Sequence, residues 1–115
     1  MNWIKLENLA QLAEIKQKPL AIIFKHSTRC SISSAALDKL QRNWKQDEMQ
    51  DVAVYFLDLL RFREISNQIA LEFGVEHQSP QVIVLQSGKV IYHNSHFGID
   101  YDEIRQVIAQ SKVEA

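Results

Sequence analysis

A chain of 115 residues, 46% hydrophobic and 23% charged with a formal net charge of -1, has the length and balance of one ordinary globular domain spanning residues 1-115. It has no basic excess to suggest nucleic acid, no acidic block, and no apolar run near the ~20 residues of a membrane span. Met1-Asn2-Trp3-Ile4-Lys5-Leu6-Glu7 lacks the basic patch and apolar core of a secretory leader, and the single cysteine, Cys30, cannot form an internal disulfide, so the expected compartment is the reducing cytoplasm.

From Leu6 to Lys16 the apolar residues Leu6, Leu9, Leu12, Ala13 and Ile15 predict a one-sided helix, with Asn8 as its cap and Pro19 beyond its end. Leu20-Ala21-Ile22-Ile23-Phe24 is continuously apolar and predicts a strand buried on both faces. After Lys25-His26-Ser27-Thr28-Arg29-Cys30, the residues Ile32, Ala36, Leu37, Leu40 and Trp44 fall at helical spacing, so a second helix runs to about Lys45. Gln46 to Asp51 reads as a loop. Val52-Ala53-Val54-Tyr55-Phe56-Leu57 predicts a second central strand, with Asp58 a loop cap at its end. Glu64 to Phe73 predicts a third helix closed by Gly74. Gln81 to Gln86 and Lys89 to His93, joined at Ser87-Gly88, predict a hairpin, and a last helix covers about Tyr101 to Ser111.

Cys30 therefore stands where a strand becomes a helix. The first amides of a helix lack intrahelical partners and, with the macrodipole, favour a negative atom. With Cys30 as N-cap, the amides of Ile32 and Ser33 are placed to donate to a thiolate, and Arg29 adds a neighbouring cation. A lone cysteine is more often a small buried hydrophobe, but polar flanks at a strand-to-helix turn point to a reactive thiolate. The four histidines raise a metal site, yet the spacing of His26, Cys30, His93 and His96 matches no ligand pattern, and His77 and His96 read as loop hydrogen-bonding groups or anion contacts.

The element order places two parallel crossover strands beside a hairpin, a four-stranded mixed sheet flanked by about four helices. This α/β arrangement resembles a thioredoxin-like fold, in which the reactive cysteine follows the first central strand and a cis-proline opens the first hairpin strand. Pro80 falls at that point; alone it would read as a turn proline before an edge strand.

The segments Phe24-Lys25-His26-Ser27-Thr28-Arg29-Cys30-Ser31-Ile32-Ser33, Arg63-Glu64-Ile65-Ser66-Asn67-Gln68-Ile69-Ala70, Gly74-Val75-Glu76-His77-Gln78-Ser79-Pro80-Gln81 and His93-Asn94-Ser95-His96 resemble the monothiol bacilliredoxin (YtxJ-like) family. One departure is Ser31, where members often have proline. The resemblance implies a thiol-disulfide oxidoreductase that removes bacillithiol from mixed disulfides on client proteins, with no bound cofactor and with bacillithiol as co-substrate. Cys30 is its expected nucleophile, Arg29, Ile32 and Ser33 its thiolate-stabilising residues, and Thr28, Ser79, Pro80, His77 and Arg63 its substrate-binding residues. Ser33 occupies the place of a dithiol enzyme's second cysteine. Its hydroxyl can bond to the Cys30 thiolate but cannot complete a disulfide, so regeneration falls to free bacillithiol or a second redox protein. Arg29, Arg61 and Arg63 suit the carboxylates of such a thiol. Two other readings are a glutaredoxin-type iron-sulfur carrier, which Ser31-Ile32 fits poorly because glycine and an aromatic residue are usual there, and a thioredoxin-like interaction module with a silent Cys30.

Overall fold

The computed structural model describes residues 2-114; Met1 and Ala115, the ends of the span assigned to the domain, lie outside the described residues. The elements are β1 (Ile4–Lys5), α1 (Ala10–Gln17), β2 (Leu20–His26), α2 (Ser31–Asn43), β3 (Ala53–Asp58), α3 (Arg63–Phe73), β4 (Gln81–Gln86), β5 (Lys89–Ser95) and α4 (Tyr101–Glu114). Two short 3-10 turns, Gln46–Met49 and His96–Gly98, occupy segments that read as loops in the sequence.

β2 is the axis of the sheet. It pairs in parallel with β3, Ile22 opposite Val54, and antiparallel with β4, Ile22 opposite Val84. All its residues are buried, as the continuous apolar run requires. The strand continues two residues past that run, through Lys25 and His26, because both ladders continue: Lys25 faces Leu57 and Gln81, and His26 faces Asp58. The hairpin partner β5 closes one side, turning through Ser87 and Gly88, both at positive φ (50° and 81°), as a tight hairpin requires.

The sheet has five strands in the order β1-β3-β2-β4-β5, rather than the four expected. The extra member, β1, is two exposed residues paired in parallel with β3, too short to show any alternation in sequence. Leu6 is the core residue that follows it, its amide donating to the Phe56 carbonyl at 2.9 Å, and α1 begins only at Ala10. The N-cap is Leu9, one residue past the expected Asn8, and has no side-chain cap bond; Asn8 Oδ1 accepts the Gln11 amide at 3.1 Å, while Gln11 Oε1 accepts the amides of Glu7 and Asn8. At the other end of the fold's third helix, Gly74 supplies the left-handed C-cap (φ 66°) that its position predicted.

Alternation along the strands divides the core in two. Ala21, Ile23, Tyr55, Leu57, Ile83 and Leu85 pack with residues of α1 and α3. Ile22, Phe24, Val54, Val82 and Val84 pack on the other face with Leu40 of α2 and with Ile104 and Ile108 of α4. By the same parity, Lys25 belongs to the α1/α3 face and His26 to the α2/α4 face. Ile23→Ala is expected to lower the free energy of unfolding by about 2–5 kcal/mol in urea denaturation. Leu71→Ala, on the exposed side of α3, is expected to change it by about 0.5 kcal/mol or less.

Candidate functional site

The junction between β2 and α2 is built from local hydrogen bonds. Cys30 is the N-cap of α2, with extended backbone (φ -108°, ψ 117°), and is partly exposed. Its amide donates to the Ser27 carbonyl at 3.2 Å and its carbonyl accepts the Ser34 amide at 3.1 Å, so the loop closes directly into the first helical turn. The sulfur makes no capping hydrogen bond, in contrast to the expected contact with the Ile32 and Ser33 amides. A thiol is a weak acceptor, and the preference of a helix N-terminus for an anion acts through the field of the turn without requiring a direct bond.

Ser33 also departs from expectation. Its side chain is fully buried, and its Oγ lies 2.7 Å from His26 Nδ1 while accepting the Ser27 amide at 3.0 Å. A buried hydroxyl must find partners, and the histidine and the loop amide supply them. Ser33 thus ties the loop down instead of bonding to the sulfur. His26 packs in turn against Phe56, with ring centroids 5.4 Å apart, and against Phe24 at 6.3 Å.

The opposing wall comes from the start of β4. The Ser79–Pro80 peptide bond is cis. Gln81 is paired with both Lys25 and Ser95, and the Pro80 carbonyl accepts the His96 amide at 3.0 Å. The 96–98 turn contacts α2, which brings the Cys30 helix, Pro80 and His96 to one end of the sheet. His96 holds a left-handed backbone (φ 55°), uncommon for a residue with a side chain. The Ser79 hydroxyl is buried without a hydrogen-bond partner.

Thr28 and Arg29, which precede Cys30 in the loop, line a cleft of about 400 Å³ together with Asp58, Leu60 and Arg61. Asp58 contributes its backbone carbonyl, not its carboxylate, to the turn that follows β3, accepting the Phe62 amide at 2.9 Å, and its Oδ1 is buried and unpartnered. Arg29 and Arg61 are therefore brought together. Arg63 is not: it opens α3, where its charge acts on the ring of His77. His77, in the segment that leads to Ser79, is held by Lys25 Nζ at 3.3 Å and Ser66 Oγ at 3.2 Å. Ile32 is exposed on the first turn of α2. Among the described residues no group of three or more His, Cys, Asp or Glu side chains is placed to hold a metal ion. Sequence reasoning missed the structural parts of Lys25, His26 and Ser66; the signal for the first two was a polar pair in a strand whose ladder had not ended.

Burial pushes the pKa of His26 below its ordinary 6.5, against the opposing pull of Asp58. Burial lowers that of His77 too, helped by the charges of Lys25 and Arg63. Between the depressed values and 6.5 the unfolded chain binds more protons than the folded one, so stability rises with pH across that window and is lost as pH falls through it. The denaturation midpoint is expected to decline from about pH 6.5 towards pH 5, with a shallower slope in His77→Gln. An identical slope in that variant would contradict the assignment.

The family described as Monothiol bacilliredoxin BrxC matches residues 4–104. Among solved structures, the chain is similar to a provisionally assigned oxidoreductase with a thioredoxin fold, at 26% identity and a TM-score of 0.79, covering 91% of this chain and 92% of that one. It is similar in fold to the thioredoxin of Trypanosoma brucei brucei, at 16% identity and a TM-score of 0.75, covering 99% and 93% of the two chains. The thioredoxin of Malassezia sympodialis gives 16% identity and a TM-score of 0.71, covering 96% and 90%. The family match runs from β1 into α4 and leaves no part of the site outside it: the chain belongs to the monothiol bacilliredoxin family.

Proposed function

We propose that this monothiol thiol-disulfide oxidoreductase removes bacillithiol from mixed disulfides on cytosolic client proteins. The observation that carries the reading is the place of the one cysteine: partly exposed at the N-cap of α2, with a buried serine where a resolving thiol would stand. The Cys30 thiolate attacks the bacillithiol sulfur of the client's mixed disulfide. A bond forms between Cys30 and that sulfur, the client disulfide bond breaks, and the client cysteine leaves as a thiolate that takes a proton from water.

No net oxidation has occurred at that point, since one disulfide has replaced another. Ser33 has no sulfur with which to release the bound group, so an outside thiolate must attack Cys30–S–S–bacillithiol. When that thiolate is a second bacillithiol, the products are free Cys30 and bacillithiol disulfide, so over the cycle the client mixed disulfide and one free bacillithiol become a client thiol and bacillithiol disulfide. A second redox protein can take the same step.

Arg29 and Arg61 suit carboxylates of the small thiol, and both line the cleft at the loop that leads into Cys30. Ser79 and Pro80 supply backbone for an extended client, while Thr28 contributes to the cleft wall. His77 and Arg63, expected to touch substrate, are assigned instead to the support of the segment ahead of Pro80, because His77 is bonded to Lys25 and Ser66 and feels the charge of Arg63.

Mixing the protein with a bacillithiolated client and weighing both is expected to show the small thiol on Cys30, with Cys30→Ala reducing transfer to the uncatalysed background. A client left untouched by the native protein, or equally well reduced by the variant, would overturn the reading. Arg61→Gln is expected to raise the KM for bacillithiol in regeneration roughly tenfold, the loss of about 1.5 kcal/mol that a charge-assisted hydrogen bond carries. An unchanged KM would remove Arg61 from the site.

A further inference from the structure

Lys25 is fully buried on the α1/α3 face of the sheet, and among the described residues no carboxylate is paired with it. Placing an ammonium group among apolar side chains without a counter-charge is unfavourable, and a methionine of similar length would avoid that loss. The Nζ reaches two acceptors: the Ser66 carbonyl of α3 at 3.3 Å and His77 Nδ1 at 3.3 Å. Arg63 of α3 adds a second positive charge that acts on the His77 ring. Burial lowers the Lys25 pKa to about 8, which leaves the amine mostly protonated at neutral pH.

An ammonium group has no lone pair, so His77 Nδ1 accepts and the ring proton sits on Nε2. Gln81, directly opposite Lys25 in the β2–β4 ladder, reaches the same segment: its Nε2 donates to the Glu76 carbonyl at 3.0 Å. Two adjacent buried side chains on one sheet face thus hold residues 76 and 77, immediately ahead of Ser79 and Pro80.

We infer that Lys25 is a positioning residue which, with Gln81, latches the 75–80 segment to the sheet and so presets the Ser79 backbone against which a client chain lies in front of Cys30. The inference rests on the oxidoreductase reading above. A preset groove spares the client the ordering of that segment on binding, which appears in affinity and not in the reactivity of the sulfur.

Lys25→Met tests this. Three results are expected: a melting temperature equal to or above that of the native protein, a His77 pKa raised towards 6.5 by two-bond proton-nitrogen correlation, and the Nε2–H form less exclusively populated. In single-turnover transfer from a short extended peptide carrying bacillithiol, the half-saturating concentration should rise about tenfold, with the limiting rate and the iodoacetamide alkylation of Cys30 within about twofold of native. Unchanged half-saturation would overturn the inference. So would alkylation falling in step with transfer, which would place the lysine's effect on the sulfur itself. A variant that melts lower or fails to fold would show that the lysine is a net stabiliser, against the argument above. If the native protein transfers no bacillithiol, the oxidoreductase reading fails instead, and the melting and His77 measurements still decide whether the latch exists.

Discussion

Hydrogen bonding along both edges of β2, to β3 on one side and β4 on the other, fixes the position of everything at its end. Each residue of the strand has its amide and carbonyl committed to a ladder and its side chain committed to one of two packed faces, so sliding by one position would exchange the faces and expose the core. The strand therefore delivers His26 to a defined point, and Leu59, whose amide donates to the His26 carbonyl at 2.9 Å, ties the end of β3 to it. Beyond that point the chain has only Ser27, Thr28 and Arg29 before the helix. The position of Cys30 is inherited from the sheet through a loop too short to wander.

The serine at position 33 has a second consequence besides the missing sulfur. Its hydroxyl takes a loop amide and a buried imidazole at once, with distances of 3.0 and 2.7 Å. A thiol in that place would be a poorer donor and a poorer acceptor, and its larger sulfur would crowd both partners. The one-cysteine cycle is thus written into the scaffold of the loop as well as into its redox chemistry. The residue that stands where a dithiol enzyme carries its second cysteine is here part of the hydrogen bonding that holds the loop ahead of Cys30.

Much of this could be read from sequence because it is carried by local pattern. β2 and β3 are apolar runs, Gly74 and Ser87-Gly88 punctuate the chain, and Cys30 and Pro80 stand at joints between elements. What was not legible depends on partners distant in the chain. β1 is a strand only because Ile4 and Lys5 meet Tyr55 and Phe56, and Leu6 mimicked a helical position although it fills the core before the helix begins. Arg61 and Arg63 looked equivalent two residues apart, but α3 opens at Arg63; one lines the cleft and the charge of the other acts on His77. Ser33 had the right position for the sulfur and the wrong partner, since nothing in its spacing shows that His26 turns towards it.

Lys25 and His26 are neighbours in sequence and project to opposite faces, and this parity joins the two sides of the site. His26 reaches through Ser33 to the loop that carries the sulfur; Lys25 reaches through His77 to the segment that carries Ser79 and Pro80. Thiol exchange needs the attacking sulfur, the attacked sulfur and the bound chain held in one geometry, and small misplacements weaken it steeply. Anchoring both walls to one dipeptide couples them through a strand whose register is fixed on both edges. Two polar side chains in the interior are a reasonable cost for that coupling.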